Sequence, residues 1–331
     1  MRRAGKVSVM GIRRFIDDEF HHFNAGELAR CARSLTTFLD DGGRLMLTLA
    51  GAMSTAGIGR TLAAAIRAGH IDAICCTGAN LEEDLFALIG RDRYEAIPDW
   101  RSATPEDDAD LLARGLNRVT DVAIPEAVIR EAEAAMLDHL EARSNDAGGV
   151  RPIRPVDLLK DLATGLALDE GGQCGGKVTD SWLVAAAECG TALFCPGFED
   201  STLGNIIAAR TIQGTIGSGT ITTGFDEMSA LADWYRSDTR PAGFLQVGGG
   251  IAGDFAISVV PMLRQDLGEA VPLWAWFAQI SESRPSYGGY SGAPPSEKIS
   301  WEKTAVDTPR FVIESDATIV LPLLLAHLLD R

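Results

Sequence analysis

Short apolar runs alternate with amphipathic stretches along most of this chain. Arg44 to Ala50, Ile71 to Cys76, Thr191 to Pro196, Gly243 to Val247 and Val271 to Phe277 are largely apolar, and Phe311 to Ala317 begins with the apolar run Phe311-Val-Ile313. That is the pattern of strands buried on both faces of a parallel sheet. Between them the period changes to that of helices. From Gly26 to Asp40, residues Leu28, Cys31, Ala32, Leu35 and Leu39 fall on one stripe. Further helices are expected after the turn at Gly51–Gly57, from Asn80 as cap with Glu83 three residues on, from Pro125, from Thr202 with Asp200 as cap, and over the leucine-rich C-terminus. Six strands alternating with helices predict a doubly wound α/β fold. Its sheet is mostly parallel, its helices cover both faces, and its site lies at the carboxyl ends of the strands. Residues 1–331 read as a single domain, with 1–43 an N-terminal extension and helix packed on it. Residues 1–25 have no clear period, 91–112 form a polar, acidic surface excursion, and 145–155 are a Gly/Pro-rich connector.

Composition narrows the function. The 331 residues are 46% hydrophobic, ample for a buried core, and carry a formal charge of −16. A strongly acidic chain does not suit nucleic acid, which rewards basic patches; its field suits a cationic substrate. No apolar run reaches the roughly 18 residues that crossing a bilayer requires, and the basic start Met1-Arg-Arg is not followed by an apolar segment. No membrane partner or secretory leader is therefore expected, and a cytoplasmic location is. The six cysteines form no Cys-x-x-Cys pair and fit buried free thiols of a reducing compartment. The five histidines lack metal-ligand spacing, so no metal is expected.

Two glycine-rich segments invite a nucleotide reading. Gly171-Gly-Gln-Cys-Gly-Gly-Lys177 nearly matches a phosphate loop, but Val178 stands where a hydroxyl is needed and no strand precedes it. A nucleoside triphosphate is therefore not expected there. Gly248-Gly-Gly-Ile-Ala-Gly253 follows a strand and opens a helix, the context of a Rossmann-like dinucleotide fingerprint. The acid that should end the next strand about 20 residues on is poorly placed. Glu269 is near that distance but precedes the strand.

The most informative stretch is Tyr290-Ser-Gly-Ala-Pro-Pro-Ser-Glu-Lys-Ile-Ser-Trp-Glu-Lys303. A lone lysine is ordinarily a solvated surface residue. Here Trp301 lies two positions away and would share a face with Lys303 if the segment were extended. An indole beside an amine can desolvate it and hold a cation over its ring, and a desolvated lysine can form Schiff bases.

The stretch resembles the active-site signature of the deoxyhypusine synthase family, Ser-Gly-Ala-x-Pro-x-Glu-x-x-Ser-Trp-x-Lys, through Ser291-Gly292-Ala293, Pro295, Glu297, Ser300-Trp301 and Lys303. The resemblance runs from about Leu45 onward. It implies NAD as cofactor, contacted by Gly51, Ala52, Met53, Ser54, Thr55, Thr77, Gly78, Ala79, Glu83, Asp200, Gly249, Asp316 and Ala317. It implies a polyamine substrate facing Glu82, Ser291, Glu297 and Trp301, with Lys303 as the catalytic nucleophile. It also implies a homotetramer with sites near subunit interfaces. Three positions depart from the family. Asn205 replaces a substrate aspartate, Asp254 replaces a substrate-facing histidine, and Tyr290 replaces a further substrate carboxylate. Glu302 stands where the family has glycine. We count Asn205, Asp254 and Tyr290 with the substrate residues. The implied chemistry is transfer of a 4-aminobutyl group from spermidine or a relative through an imine on Lys303. The lost carboxylates favour a small amine as acceptor, as in a homospermidine synthase. Protein-lysine modification and a non-catalytic NAD-binding protein are the other readings.

Overall fold

The computed structural model describes residues 10–146, 151–168, 174–286, 288–289 and 292–330. Nine strands are present among them: β1 (Arg44–Leu49), β2 (Ala73–Cys76), β3 (Glu95–Ala96), β4 (Leu116–Val119), β5 (Val122–Pro125), β6 (Ala192–Phe194), β7 (Ala242–Val247), β8 (Trp276–Ile280) and β9 (Arg310–Ile313). Six form one sheet in the order β6-β2-β1-β7-β8-β9, with every pairing parallel. This is the doubly wound, Rossmann-like arrangement the alternation predicts. The chain leaves β1 for β2 and β6 on one side, then crosses to β7 on the other. The switch point therefore lies between β1 and β7, and ligands of such sheets sit in the crevice outside the strand ends there.

The strands are apolar throughout because each face carries a separate core. From β1, Leu45, Leu47 and Leu49 enter one cluster and Met46 the other; in β8, Trp276, Ala278 and Ile280 oppose Phe277 in the same way. Helices Phe23–Asp40, Gly59–Arg67, Gly78–Gly90, Trp182–Cys189 and Ala317–Leu329 supply the first cluster, while Gly224–Arg236 and Gly250–Ile257 supply the second. Arg44 is buried at the start of β1. Its guanidinium lies 4.3 Å from the Trp234 ring and donates to the carbonyls of Trp234 and Tyr235, which closes the end of helix Gly224–Arg236.

Several local expectations need correction. The strand expected at 271–277 lies at Trp276–Ile280, because Pro272 precedes it and Trp274 already packs in the second core. The last strand ends at Ile313, short of the expected Ala317. The 91–112 excursion does lie at the surface, and it has structure of its own: β3 joins β4 and β5 in a small antiparallel sheet, and Pro105–Ala113 is a helix with a capping box from Thr104 to Asp107. Within residues 1–25, Ile12–Glu19 is a helix whose Arg13 N–H donates to Asp330 at 3.0 Å, fastening it to the C-terminus. Thr77, not Asn80, caps helix Gly78–Gly90, and Ser201, not Asp200, caps helix Thr202–Ile212. In the apparent phosphate loop, Gly171–Gln173 lie outside the described residues. The N–H groups of Gly175 and Gly176 donate to the carbonyls of Ile89 and Leu88 at the end of helix Gly78–Gly90.

Candidate active site

A cavity of about 670 Å³ opens at the switch point, lined by Ala50, Gly51 and Met53 after β1, Thr77 after β2, Gly248–Ile251 after β7, Ile280–Ser283 after β8 and Asp316–Ala317 after β9. The loop after β7 shows why its glycines are needed. Gly248 has φ +74°, and a Cβ there would stand 2.8 Å from the Ala50 side chain, so the β1 and β7 loops close only on glycine. Gly250 has φ +56° and opens helix Gly250–Ile257, whose N-terminus faces the cavity. A Cβ on Gly253 would press on Gln246 at 3.1 Å. Tight turn, helix start and close helix–strand packing are the three tasks of glycine in a dinucleotide loop.

The resemblance-implied cofactor residues divide into liners and supports. Gly51, Met53, Thr77, Gly249, Asp316 and Ala317 line this cavity. Asp316 also caps the C-terminal helix, accepting from the Thr318 N–H at 2.8 Å. Ser54 is buried behind the loop, bonded to Asn80 and to the Trp182 indole N–H. Ala52 and Thr55 lie in the turn after β1 and Gly78 and Ala79 open helix Gly78–Gly90, all four outside the lining, and Asp200 is exposed on the loop after β6. The sequence reading missed Glu282. With β8 at its observed position, Glu282 is the acid that follows the strand after the glycine loop, and it lines the cavity.

Asn80 organises the floor. Its amide NH₂ donates to the carbonyl of Gly51 at 2.8 Å, and its oxygen accepts from the Ser54 N–H at 3.1 Å. The three acids that follow are each buried and each committed to backbone N–H groups. Glu82 accepts from Thr202 and Leu203 at 2.9 and 2.7 Å, Glu83 from Thr55 at 3.2 Å, and Asp84 from Trp182 and Leu183 and from the Ser181 hydroxyl at 2.6 Å. Burial pushes Glu83 up to about 7 and Asp84 up to about 6, against hydrogen bonds that pull both down. Glu82 thus sits at the N-terminus of helix Thr202–Ile212. Asn205, one turn into that helix, donates to the carbonyls of Glu199 and Ser201.

A second cavity, about 540 Å³, holds Lys303. Its lining includes Asp254, Ser258, Met262, Gln265, Asp266, Ala293, Glu297, Lys298 and Trp301. The signature segment is not extended as the Trp–Lys spacing assumed. Glu297–Ser300 is one helical turn, and Glu302 reverses the chain with φ +52°. A left-handed backbone is strained for a side-chain-bearing residue such as Glu302 and relaxed for glycine. The reversal leaves Trp301 exposed and buries Lys303, whose Nζ lies 3.3 Å from Asp254 Oδ1 and 5.9 Å from the centre of the Trp301 ring. Beyond Glu302, an ion pair at 3.5 Å reaches Arg264. Lys298, which the sequence reading passed over, is 3% exposed; its Nζ lies 4.9 Å from the Phe277 ring. Burial, then the charge of Lys303, pulls Lys298 down to about 8, opposed by Glu297 and Asp254. Tyr290 and Ser291 lie outside the described residues.

The family profile described as "Deoxyhypusine synthase" matches residues 18–328. The chain belongs to the deoxyhypusine synthase family. It is 30% identical over 328 residues to a "Deoxyhypusine synthase-like protein" of Cyanothece sp., covering 96% of this chain and 78% of that one. It is 31% identical to a "Probable deoxyhypusine synthase" of Aeropyrum pernix, covering 92% and 90%. The fold is similar to a crystal structure provisionally assigned as a deoxyhypusine synthase from Entamoeba histolytica, with a TM-score of 0.58 at 13% identity, covering 96% and 93%. The family is one of transferases that act on polyamines with NAD. Among the described residues, no three His, Cys, Asp or Glu side chains gather as metal ligands, and no helix is long and apolar enough to cross a membrane.

Proposed function

We propose that this protein is a cytoplasmic, NAD-dependent 4-aminobutyl transferase, taking its donor group from spermidine or a related polyamine through an imine on Lys303. The observation that carries the reading is Lys303 itself, buried, paired with Asp254 and set in a cavity with Glu297 and Trp301. A lysine amine held in place beside a bound substrate can add to an imine carbon and form a Schiff base.

The residues of the switch-point cavity fit a dinucleotide. Gly248, Gly249 and Gly250 allow the backbone to approach a pyrophosphate, and Glu282 and Asp316 can accept from ribose hydroxyls. A carboxylate there repels a 2′-phosphate, which favours NAD over NADP. Bound in this cavity, NAD would supply the hydride acceptor. The chain's own groups do the rest: Asp254 and Glu297 hold ammonium ends, Trp301 covers the bound chain, and Lys303 captures the aminobutyl carbon.

A small amine is the acceptor in this reading. Asn205 offers an amide in place of a carboxylate, and its NH₂ is already committed to its own loop. The pocket for a bare ammonium is weaker for that loss, since charged hydrogen bonds are about twice as strong as neutral ones. In one chain, Glu82 and Asn205 lie apart from the Lys303 cavity, which supports a homotetramer in which subunits complete each other's sites. The test is incubation with NAD and a panel of polyamines and small amines, read by mass spectrometry. The reading expects an aminobutylated small amine; efficient labelling of a translation-factor lysine, or no transfer at all, would overturn it. Equal thermal stabilisation by NAD and NADP would count against the cofactor assignment.

A further inference from the structure

We propose that Lys298 is the general base of this site: its Nζ takes the proton from the donor's secondary ammonium nitrogen and returns it to the departing amine. The proposal rests on the aminobutyl-transfer reading above and adds a residue to it.

A carbon beside nitrogen gives up hydride only when the nitrogen lone pair is free to form the C=N bond. At neutral pH a secondary alkylamine holds that pair in an N–H bond. The proton must therefore pass to a group on the protein before the carbon is oxidised. In the balanced step, the donor ammonium and neutral Lys298 become a neutral donor amine and a Lys298 ammonium. A nicotinamide dinucleotide bound in the switch-point cavity would supply the hydride acceptor, and loss of hydride to it would leave the donor carbon as an iminium. The neutral amine of Lys303 adds to that carbon, and the proton this frees moves to the donor nitrogen. The old C–N bond then breaks, leaving the aminobutyl carbon as an iminium on Lys303, and the departing diamine takes the proton that Lys298 held.

The cavity offers few groups for this work. Asp254 reaches it from helix Gly250–Ile257, Asp266 from the segment before β8, and Glu297, Lys298 and Lys303 from the signature turn; the Arg264–Glu302 ion pair flanks them. A carboxylate is a much weaker base than an amine, so the three acids orient cations better than they deprotonate them. Asp254 stands where the resemblance places a histidine, and no imidazole is among the described lining residues. The nitrogen bases there are two lysines. Lys303 is held by Asp254 and is the nucleophile. Lys298 is buried against the Phe277 ring, close to Lys303. Burial first and Lys303 second disfavour its charge and, against Glu297 and Asp254, bring it to about 8. A general base works best when its pKa lies near the working pH, and burial is the means by which lysines are tuned there.

The experiment has two arms. The first is competitive acetylation of the intact protein across pH, read residue by residue by mass spectrometry. Lys298 should titrate near 8, well below the surface lysines; titration with them would overturn the proposal. The second compares aminobutyl transfer in wild type, Lys298→Met, Lys298→Arg and Lys298→Ala. Methionine keeps the volume and removes the buried charge, so that variant should fold at least as well. It should lose transfer on the order of 100-fold or more, the usual share of a general base, and arginine should not restore it. Added methylamine should rescue the alanine variant, with rescue rising with the pKa of the added amine. A structural role predicts neither that dependence nor a changed pH profile. If wild type transfers and Lys298→Met does so at a similar rate with the same pH profile, Lys298 is not the base. If wild type transfers nothing to any acceptor, the parent reading fails and this inference falls with it.

Discussion

Two sets of acids in this molecule carry the same charges to opposite ends. Glu82, Glu83 and Asp84 are consecutive on helix Gly78–Gly90 and all buried; Glu82 and Asp84 are tied to the starts of two other helices and Glu83 to the turn after β1. Asp254, Asp266 and Glu297 come from three separate segments, are exposed, and meet around Lys303. The first set is satisfied within the chain: each oxygen bonded to backbone N–H groups is one less available to a ligand. The second keeps lone pairs in reach of the cavity. A helix N-terminus offers up to four unpaired N–H groups and a partial positive charge. One carboxylate placed there does the work of a cap from a distant segment. Acidity alone thus does not mark a substrate site; what the oxygens already hold decides.

Changes in the two sets should separate stability from activity. The largest effect belongs to the cavity. Lys303→Ala should remove transfer by on the order of a thousandfold or more while leaving the melting temperature and NAD binding nearly unchanged. Borohydride should trap substrate mass on Lys303 in the wild type only. Near-wild-type transfer would remove Lys303 from the chemistry. In the buried set, Asp84→Ala should cost about 3 kcal/mol in denaturant unfolding, because it strips a hydroxyl and two N–H groups of their partner. Glu297→Gln, at an exposed position, should stay within about 0.5 kcal/mol. Similar losses at the two sites would erase the distinction.

Glu83 sharpens the comparison through pH. Its folded value is raised to about 7 by burial, above the ordinary carboxylate range. The folded state therefore prefers its protonated form. That contribution is complete below the unfolded value and disappears as pH rises through about 7. Between pH 5 and pH 8 it amounts to about 2–3 kcal/mol. The stability difference between wild type and Glu83→Gln should shift by that amount in favour of the variant as pH rises; a constant difference would show that Glu83 is not desolvated. The smallest effect is Asp254→Asn, which should raise the KM for the small amine by about tenfold, the loss of one charged hydrogen bond. An unchanged KM would mean that Asp254 serves only Lys303.

Much of this was legible in the sequence where the physics is local. The six apolar runs gave the sheet because strands buried on both faces admit little else. The Gly248–Gly253 loop was readable because only glycine tolerates the backbone and contacts found there. Reading failed where partners are distant in sequence. Glu83 looked like half of a capping box with Asn80, whereas Thr55, some 28 residues earlier, is its partner. Glu282 was missed because Pro272 shifts β8 toward the C-terminus, which moves its terminal acid beyond the expected spacing. Lys298 occupies a variable position of the signature, and nothing local to it reports that Phe277 lies beneath.

Helix Gly250–Ile257 carries Gly250 and Ile251 in the wall of one cavity and Asp254 in the wall of the other. It is eight residues long, about 12 Å, too short to bend much between its ends. An occupant that displaces one end must displace the other. Thermodynamic reciprocity then sets a rule for the two ligands: whatever factor the dinucleotide applies to amine affinity, the amine applies to dinucleotide affinity. Any coupling between occupants of the two cavities through this wall therefore runs along one short helix.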